Sequence, residues 1–283
     1  MSLRKIVIPT DFSANAFNAL SYVTQLFKYQ RCDFYLLHAY ADQVYDLKGK
    51  ATRSELDDTK EIVYQRTTKA LGSEIKKIRN LSPNPKHNFE AVAAFGTLTD
   101  EMNDLVNQFN LDLAIMGTRG ETNDRAITFG SNTLQVLKYV QCPVLAIPEG
   151  YQFHAPRQLL FPSNYLVPYN RRELKLLCEL SGSYRANIHM LYIDPTEKLS
   201  LRQEDNLRFL KENLIKAELS CETTKEKDKT IAITKYIVHN DIDMLVMVNT
   251  RHSHFEDMIH KSTIDQIGLH LKVPLLVLQN LSR

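Results

Sequence analysis

The chain reads as an α/β protein made of two domains, each a parallel sheet with helices on both faces. Three observations predict this. Short apolar runs bounded by turn residues alternate with longer helical patterns, as expected of strands fed by crossover helices. The same series of runs returns later in the chain in the same order. The length, 283 residues, suits two domains at roughly 150 residues each.

The elements follow in order. Lys5-Ile-Val-Ile-Pro9 reads as the first strand, running into Thr10-Asp11-Phe12, with a helical pattern over Asn15–Phe27. Cys32–Tyr40 reads as a second strand, and Leu56–Ile78 and Thr99–Phe109 carry helical spacing. Leu111-Asp-Leu-Ala-Ile-Met116 is a short strand ending at Gly117. Leu134, Leu137 and Tyr139/Val140 place a helix over 133–140, and Cys142-Pro143-Val-Leu-Ala-Ile147 closes the series. Glu149 to Arg157, with Gly150 and Pro156, is the natural linker, which sets the domains at 1–150 and 151–283. Residues 43–60 and 195–230 are polar and charged and read as helix-plus-loop excursions.

The second half repeats the first. Gln158-Leu-Leu-Phe-Pro162-Ser163-Asn164-Tyr165 answers Lys5 to Phe12, and Ala186 to Asp194 answers Cys32 to Tyr40. Asp243 to Arg251 answers Asp112 to Arg119, and Val273-Pro274-Leu-Leu-Val-Leu278 answers Cys142 to Ile147. Four matched strands in one order leave little to chance.

Composition narrows the class. The chain is 43% apolar and 24% charged with a net charge of +2, which gives no electrostatic case for nucleic acid or a membrane surface as partner. No apolar stretch is long enough to span a bilayer, and Arg4 and Lys5 lead straight into a strand rather than a secretory core, so a cytoplasmic location is expected. Cys32, Cys142, Cys178 and Cys221 are far apart with no CxxC spacing and read as core thiols.

The stretch Gly117-Thr-Arg119-Gly120, nine residues, then Gly130-Ser131-Asn132 lies between a strand and a helix. Glycines let a backbone approach a ligand closely, and free N–H groups at a helix N-terminus favour an anion. Ser131 and Asn132 are both good N-cap residues. The stretch therefore reads as a phosphate cradle, the alternative being glycines that serve only turns and a helix start. Parallel sheets bind ligands at the carboxyl ends of their strands where the strand order reverses, and Pro9-Thr10-Asp11 and Met116-Gly117 stand at such ends.

Pro9-Thr10-Asp11-Phe12-Ser13 after the first strand, Leu-Leu-His38-Ala39 in the second, Gly96 before a helix, and Met116-Gly-x2-Gly-x9-Gly-Ser131 before a Cys-Pro-Val-Leu strand together resemble the universal stress protein family in its tandem form. The glycine spacing with the Pro-Thr-Asp motif points to the ATP-binding branch. The resemblance implies Rossmann-like or flavodoxin-like domains of five parallel strands, with ATP, alone or with Mg²⁺, between the first-strand loop and the glycine loop. It implies that Asp11 meets the ribose or base, with Pro9 and Thr10 lining that site and Ala39, alone or with Tyr40, flanking adenine. Met116 and Gly117 would lie against the nucleotide, and Gly120, Gly130, Ser131 and Asn132 would surround the phosphates, most through backbone N–H. Arg119 and Arg125 could approach the phosphates, the alternative being loop arginines that are simply solvated. Family members usually pair through their last strands, so the two halves are expected to form an intramolecular pseudo-dimer, with a homodimer of chains also open. Asp11 could instead cap the following helix, and His38, within a strand, reads as a structural histidine.

The second half departs from this pattern at the ligand positions. Asp11 becomes Asn164, Gly117 becomes Asn249, Gly120 becomes His252 and Gly130 becomes Lys261; only Gly182 and Gly268 of the nine glycines follow residue 150. Side chains would fill the space a phosphate needs, so this domain is expected to have lost ATP. Lys261-Ser262 leaves a weaker anion site open. His252, His254, Asp257 and His260 match no strong metal motif and read as a polar exposed loop. The expected function is ATP-dependent regulation under stress, without a catalytic residue, since no Gly-Lys-Ser/Thr P-loop and no paired carboxylates for metal-dependent transfer stand out. Slow ATP hydrolysis, nucleotidyl or phosphoryl transfer on the same site, and a ligand-free scaffold are the alternatives.

Overall fold

The computed structural model describes residues 3–47, 52–119, 129–166, 168–169, 171–194, 198–250, 254–255 and 271–280. These form two compact units, one running to Phe153 and one from His154.

In the first unit β1 (Arg4–Pro9), α1 (Ala14–Leu26), β2 (Cys32–Ala39), α2 (Ala41–Leu47), α3 (Arg53–Leu81), β3 (His87–Ala94), α4 (Leu98–Phe109), β4 (Leu113–Gly117), α5 (Ser131–Tyr139) and β5 (Val144–Ile147) follow one another. The strands lie in the order β3-β2-β1-β4-β5, all parallel. The chain first builds outward from β1 through β2 to β3, then crosses to the other side with β4 and β5. The strand order thus reverses between β1 and β4, and the crevice beyond their carboxyl ends is where such sheets take ligands.

The central strands form because they carry unbroken apolar runs that two helical layers can bury: Ile6, Val7, Ile8, Leu113, Ala114 and Ile115 are all within 1% of full burial. Helix α1 starts where the Ser13 hydroxyl accepts from the Ala16 N–H, and it buries Ala16, Ala19, Leu20, Val23 and Leu26, one stripe at helical spacing. Helix α3 opens on a capping box between Thr52 and Glu55 and buries Val63, Thr67, Leu71, Ile75 and Ile78 down one side. Helix α4 stops at Asn110, whose φ of 51° is the left-handed turn that asparagine tolerates.

The second unit holds β6 (Gln158–Pro162), α6 (Arg171–Tyr184), β7 (Asn187–Ile193), α7 (Leu201–Asn213), β8 (Glu218–Thr224), α8 (Lys229–His239), β9 (Met244–Asn249) and β10 (Leu275–Gln279). Its parallel order, β8-β7-β6-β9-β10, reproduces that of the first unit. Both units are therefore Rossmann-like, with five parallel strands each.

Two readings of the sequence need correction here. Residues 195–230 are not helix and loop alone, because Glu218–Thr224 is an outer strand paired to β7. The cysteines are not all core thiols. Cys32 and Cys142 are buried, and burial pushes both thiols up to about 12, whereas Cys178 is half-buried and Cys221, on β8, is exposed. Among the described residues no helix is long and apolar enough to cross a membrane.

Candidate functional site

At the carboxyl end of β1, Thr10 is fixed through every polar atom it has. Its N–H donates to Leu37 O at 2.8 Å and its carbonyl accepts from His38 Nδ1–H at 2.6 Å. Its hydroxyl accepts from the Phe12 N–H at 3.0 Å and donates to Glu74 Oε2 at 3.0 Å. Since Thr10 O can only accept, the His38 proton sits on Nδ1, and Nε2 accepts from Gln43 Nε2–H at 3.0 Å. His38 is accordingly a structural histidine, 5% exposed. Burial raises the Glu74 carboxyl above the ordinary carboxylate range, opposed by the Thr10 hydroxyl and by Lys77.

This anchoring holds a strained turn. Phe12 adopts φ 64°, a region bulky residues avoid, with its ring 4.6 Å from that of His38. Asp11 Oδ1 accepts from the Ser13 N–H at 3.1 Å, while the cap of α1 is Ser13 itself. Asp11 thus braces the turn from outside the helix and is not its N-cap.

On the β4 side the backbone runs close beneath α1. Asn15, 8% exposed, donates from Nδ2 to Arg119 O at 2.9 Å. A Cβ at Gly117 would stand 3.2 Å from the Asn15 amide and 3.3 Å from Arg119 O. A side chain at 117 would therefore crowd the Asn15 amide, which would have to give by a few tenths of an ångström. The Thr133 hydroxyl donates to Gly117 O at 3.1 Å, and the Gly130 N–H donates to Thr118 O at 2.9 Å, so the end of β4 is tied to the start of α5. Arg119 Nη1 lies 3.5 Å from Glu149 Oε2, two residues beyond β5.

The start of α5 corrects two expectations. Its N-cap is Gly130, in extended conformation and without a side-chain cap hydrogen bond, rather than Ser131 or Asn132. Ser131 and Asn132 are instead the first helical residues, both exposed. The Gly130 N–H is already engaged by Thr118 O, so among these three it is not the one that could serve an anion.

Pro9, Thr10 and Asp11 at the end of β1, Ala39 at the end of β2, Met116, Gly117 and Arg119 at the end of β4, and Gly130, Ser131 and Asn132 at the start of α5 thus share the carboxyl edge of one sheet. Gly120 lies outside the described residues. The arrangement also uses Asn15, Glu74, Thr133 and Glu149, which sequence reasoning did not single out. Their partners are distant in the chain, 104 residues for Asn15 and Arg119, and no local motif signals them.

The corresponding edge of the second unit keeps the turn and carries a side chain where the first unit has Gly117. The Tyr165 N–H donates to Ser163 Oγ at 3.0 Å and the Leu166 N–H to Asn164 Oδ1 at 3.0 Å, with Tyr165 at φ 53°. Here, however, Ser163 pairs with Tyr169 OH at 2.7 Å, and Asn249, in the place of Gly117, sends a side chain to Gln279 Oε1 at 2.8 Å. What remains is a small recess bordered by Ser163, Asn164, Tyr169, Thr250, His254 and Phe255. His254 is buried rather than exposed; His252, Asp257, His260, Lys261 and Ser262 lie outside the described residues.

The family model that describes the universal stress protein family matches residues 2–148. A universal stress protein of Methanocaldococcus jannaschii is 26% identical over 144 residues, spanning 51% of this chain and 81% of that protein. A solved universal stress protein from Archaeoglobus fulgidus aligns over 97% of this chain and 96% of its own, at 17% identity and a TM-score of 0.68. A functionally unknown protein from Pseudomonas aeruginosa PAO1 aligns over 98% and 92%, at 14% identity and a TM-score of 0.59. These two structures share the fold of the chain.

Proposed function

Because the chain belongs to the universal stress protein family, we propose that it is a nucleotide-responsive regulatory protein whose first unit binds ATP, with Mg²⁺, while the second serves as its degenerate pseudo-dimer partner. The observation that carries this reading is the carboxyl edge of the first sheet, where Asn15, Thr133 and Thr118 hold a glycine-bearing backbone against a helix start with no side-chain cap. The N–H groups of Ser131 and Asn132 open α5, where the helix dipole favours negative charge. These are the donors that phosphoryl oxygens need. The carboxylate of Asp11, braced by the Ser13 N–H, is an acceptor suited to ribose hydroxyls. Pro9, Ala39 and Met116 supply the apolar surroundings for a base.

The residues fit a nucleotide because the crevice offers donors on one side and a carboxylate on the other. The Thr10 network and the strained Phe12 turn hold Asp11 in place before any ligand arrives, which lowers the ordering cost of binding. A regulatory role requires that the two states of the protein differ in nucleotide affinity, and the family's cytoplasmic setting is the location this reading adopts.

Gly130→Asp tests the assignment. The added carboxylate would stand beside the Ser131 and Asn132 N–H groups, compete for them as an internal cap and repel phosphate. ATP affinity measured by calorimetry should fall at least about a hundredfold, the loss expected when charge-assisted hydrogen bonds are removed. Retained affinity would remove the phosphates from this helix.

A further inference from the structure

Gly96 follows the end of β3, and the backbone does not demand a glycine there, since its φ is not positive. What the glycine provides is room. A Cβ at this position would lie 3.0 Å from Glu101 Cδ and on top of Glu101 Oε1. Glu101 belongs to the first turn of α4, and its side chain leans back toward the helix N-terminus, as helical side chains do, until its carboxyl group covers the Gly96 backbone. The neighbouring Asp100 is engaged by the Thr97 hydroxyl at 2.7 Å. The half-buried Glu101 carboxylate, in contrast, has no hydrogen bond or ion pair among the described residues. Burial first, then Asp104 and Asp100, raises its carboxyl above the ordinary range. An acceptor withdrawn from water without a donor is costly to the fold and calls for another explanation.

Its position supplies one. Ala94, the last residue of β3, is in register with Ala39, the last of β2, one strand spacing or about 4.8 Å away. The Tyr40 N–H donates to Ala94 O at 3.0 Å, which ties the wall assigned to the base to the segment that leads into Gly96. The Glu101 charge also reaches Tyr40, whose phenol is raised by burial first and then by Tyr64, Glu61 and Glu101.

We propose that Glu101 determines which base the nucleotide site accepts: its carboxylate takes a hydrogen bond from the exocyclic amine of a 6-aminopurine lying against Ala39, and Gly96 is the gap that lets it stand there. The inference rests on the nucleotide-binding reading above. A 6-oxopurine presents a carbonyl oxygen at the same place, and two acceptors facing each other with no proton between them repel. Carboxylates accept from exocyclic amines in the same way where proteins read base edges.

The second unit has neither part. There the Asp194 N–H donates to Thr224 O as Tyr40 does to Ala94 O, and α8 starts from its N-cap Asp228 as α4 starts from Thr97. By count from those caps, Gly96 becomes Lys227 and Glu101 becomes Ala232. The unit proposed to have lost its nucleotide has lost the base acceptor with it.

The test is a two-residue cycle on the full chain, with Kd for ATP and for its 6-oxo counterpart ITP, each with Mg²⁺, measured by calorimetry and folding checked by Tm. Wild type should prefer ATP at least about tenfold, and Glu101→Ala should bring the two nucleotides within about twofold, chiefly by weakening ATP. Gly96→Ala should do the same with little change in Tm, because the atoms it displaces are the flexible end of a side chain. In a Glu101→Ala background, Gly96→Ala should shift the ratio of the two affinities by less than about 1.5-fold. An unchanged preference in Glu101→Ala, no preference in wild type, or a Gly96→Ala effect that persists without Glu101 would overturn the inference while leaving nucleotide binding in place. If wild type binds neither nucleotide, the functional reading itself fails and this inference falls with it.

Discussion

The two units share one topology and one local turn, and they part at the places where a ligand would touch them. Thr10 and Ser163, Asp11 and Asn164, and Phe12 and Tyr165 make the same two hydrogen bonds around the same positive φ. The turn needs an acceptor at its second position, and an asparagine carbonyl serves as well as a carboxylate. What the second unit lacks is the negative charge, together with the bare backbone at 117. The fold thus requires the hydrogen bonds of the turn but not its charge, and under the proposed function that charge and the bare backbone at 117 serve the nucleotide.

Importing the second unit's residue into the first is the harshest way to break this comparison. Gly117→Asn should place a side chain against the Asn15 amide, 3.2 Å from where its Cβ would stand. The expected outcome is loss of ATP binding by more than about a hundredfold, with destabilisation of about 1–3 kcal/mol from overpacking, read by calorimetry and by urea unfolding. Asp11→Asn should be gentler. It keeps the hydrogen bond to the Ser13 N–H, so stability should change by less than about 0.5 kcal/mol. The exchange of a charged for a neutral acceptor should weaken ATP about tenfold, since the two kinds of hydrogen bond differ by roughly 1 kcal/mol. A large loss of stability in Asp11→Asn would show that the charge serves the fold after all.

The smallest effect comes from the partners of the turn. Thr10 leans on a carboxylate, Glu74, where Ser163 leans on the phenol of Tyr169. Burial raises the Glu74 carboxyl above its ordinary value of 4.5, so the folded chain holds this proton more tightly than the unfolded one. Its contribution to stability is full below the unfolded value and is lost as pH rises through the folded one. Glu74→Gln keeps an acceptor for Thr10 and removes that loss. With partial exposure limiting the effect, Tm should rise by about 2 °C at pH 8 and be unchanged at pH 4. A variant less stable at both values would mean that the ionised carboxylate is needed.

The central strands of both units were legible because apolar runs such as Ile6-Val7-Ile8 and Leu275–Leu278 can only be buried on two faces. The outer strands were not. In β3, His87 and Phe89 are buried while Asn88 and Glu90 are exposed, and β8 is mostly exposed along its length; such mixed, polar segments resemble loops until a neighbour pairs with them. At the site, the glycines and Asp11 announced themselves through spacing. Asn15 and Glu74 act through contacts 104 and 64 residues away that the fold alone brings together, and Thr133, though only 16 residues from Gly117, meets it across a strand end and a helix start that no spacing rule links. The cap of α5 was misplaced because serine and asparagine are the better caps in general, whereas here Gly130 occupies that position with its N–H held by Thr118 O.

The comparison between the units is tested most directly by calorimetric titration of the full-length protein with ATP in the presence of Mg²⁺, read as the number of sites per chain. The account predicts one. Two sites would contradict the claim that Asn249 and Tyr169 close the second unit to nucleotide, and none at millimolar ATP would contradict the claim that the edge around Asp11, Gly117 and Ser131 is a nucleotide site.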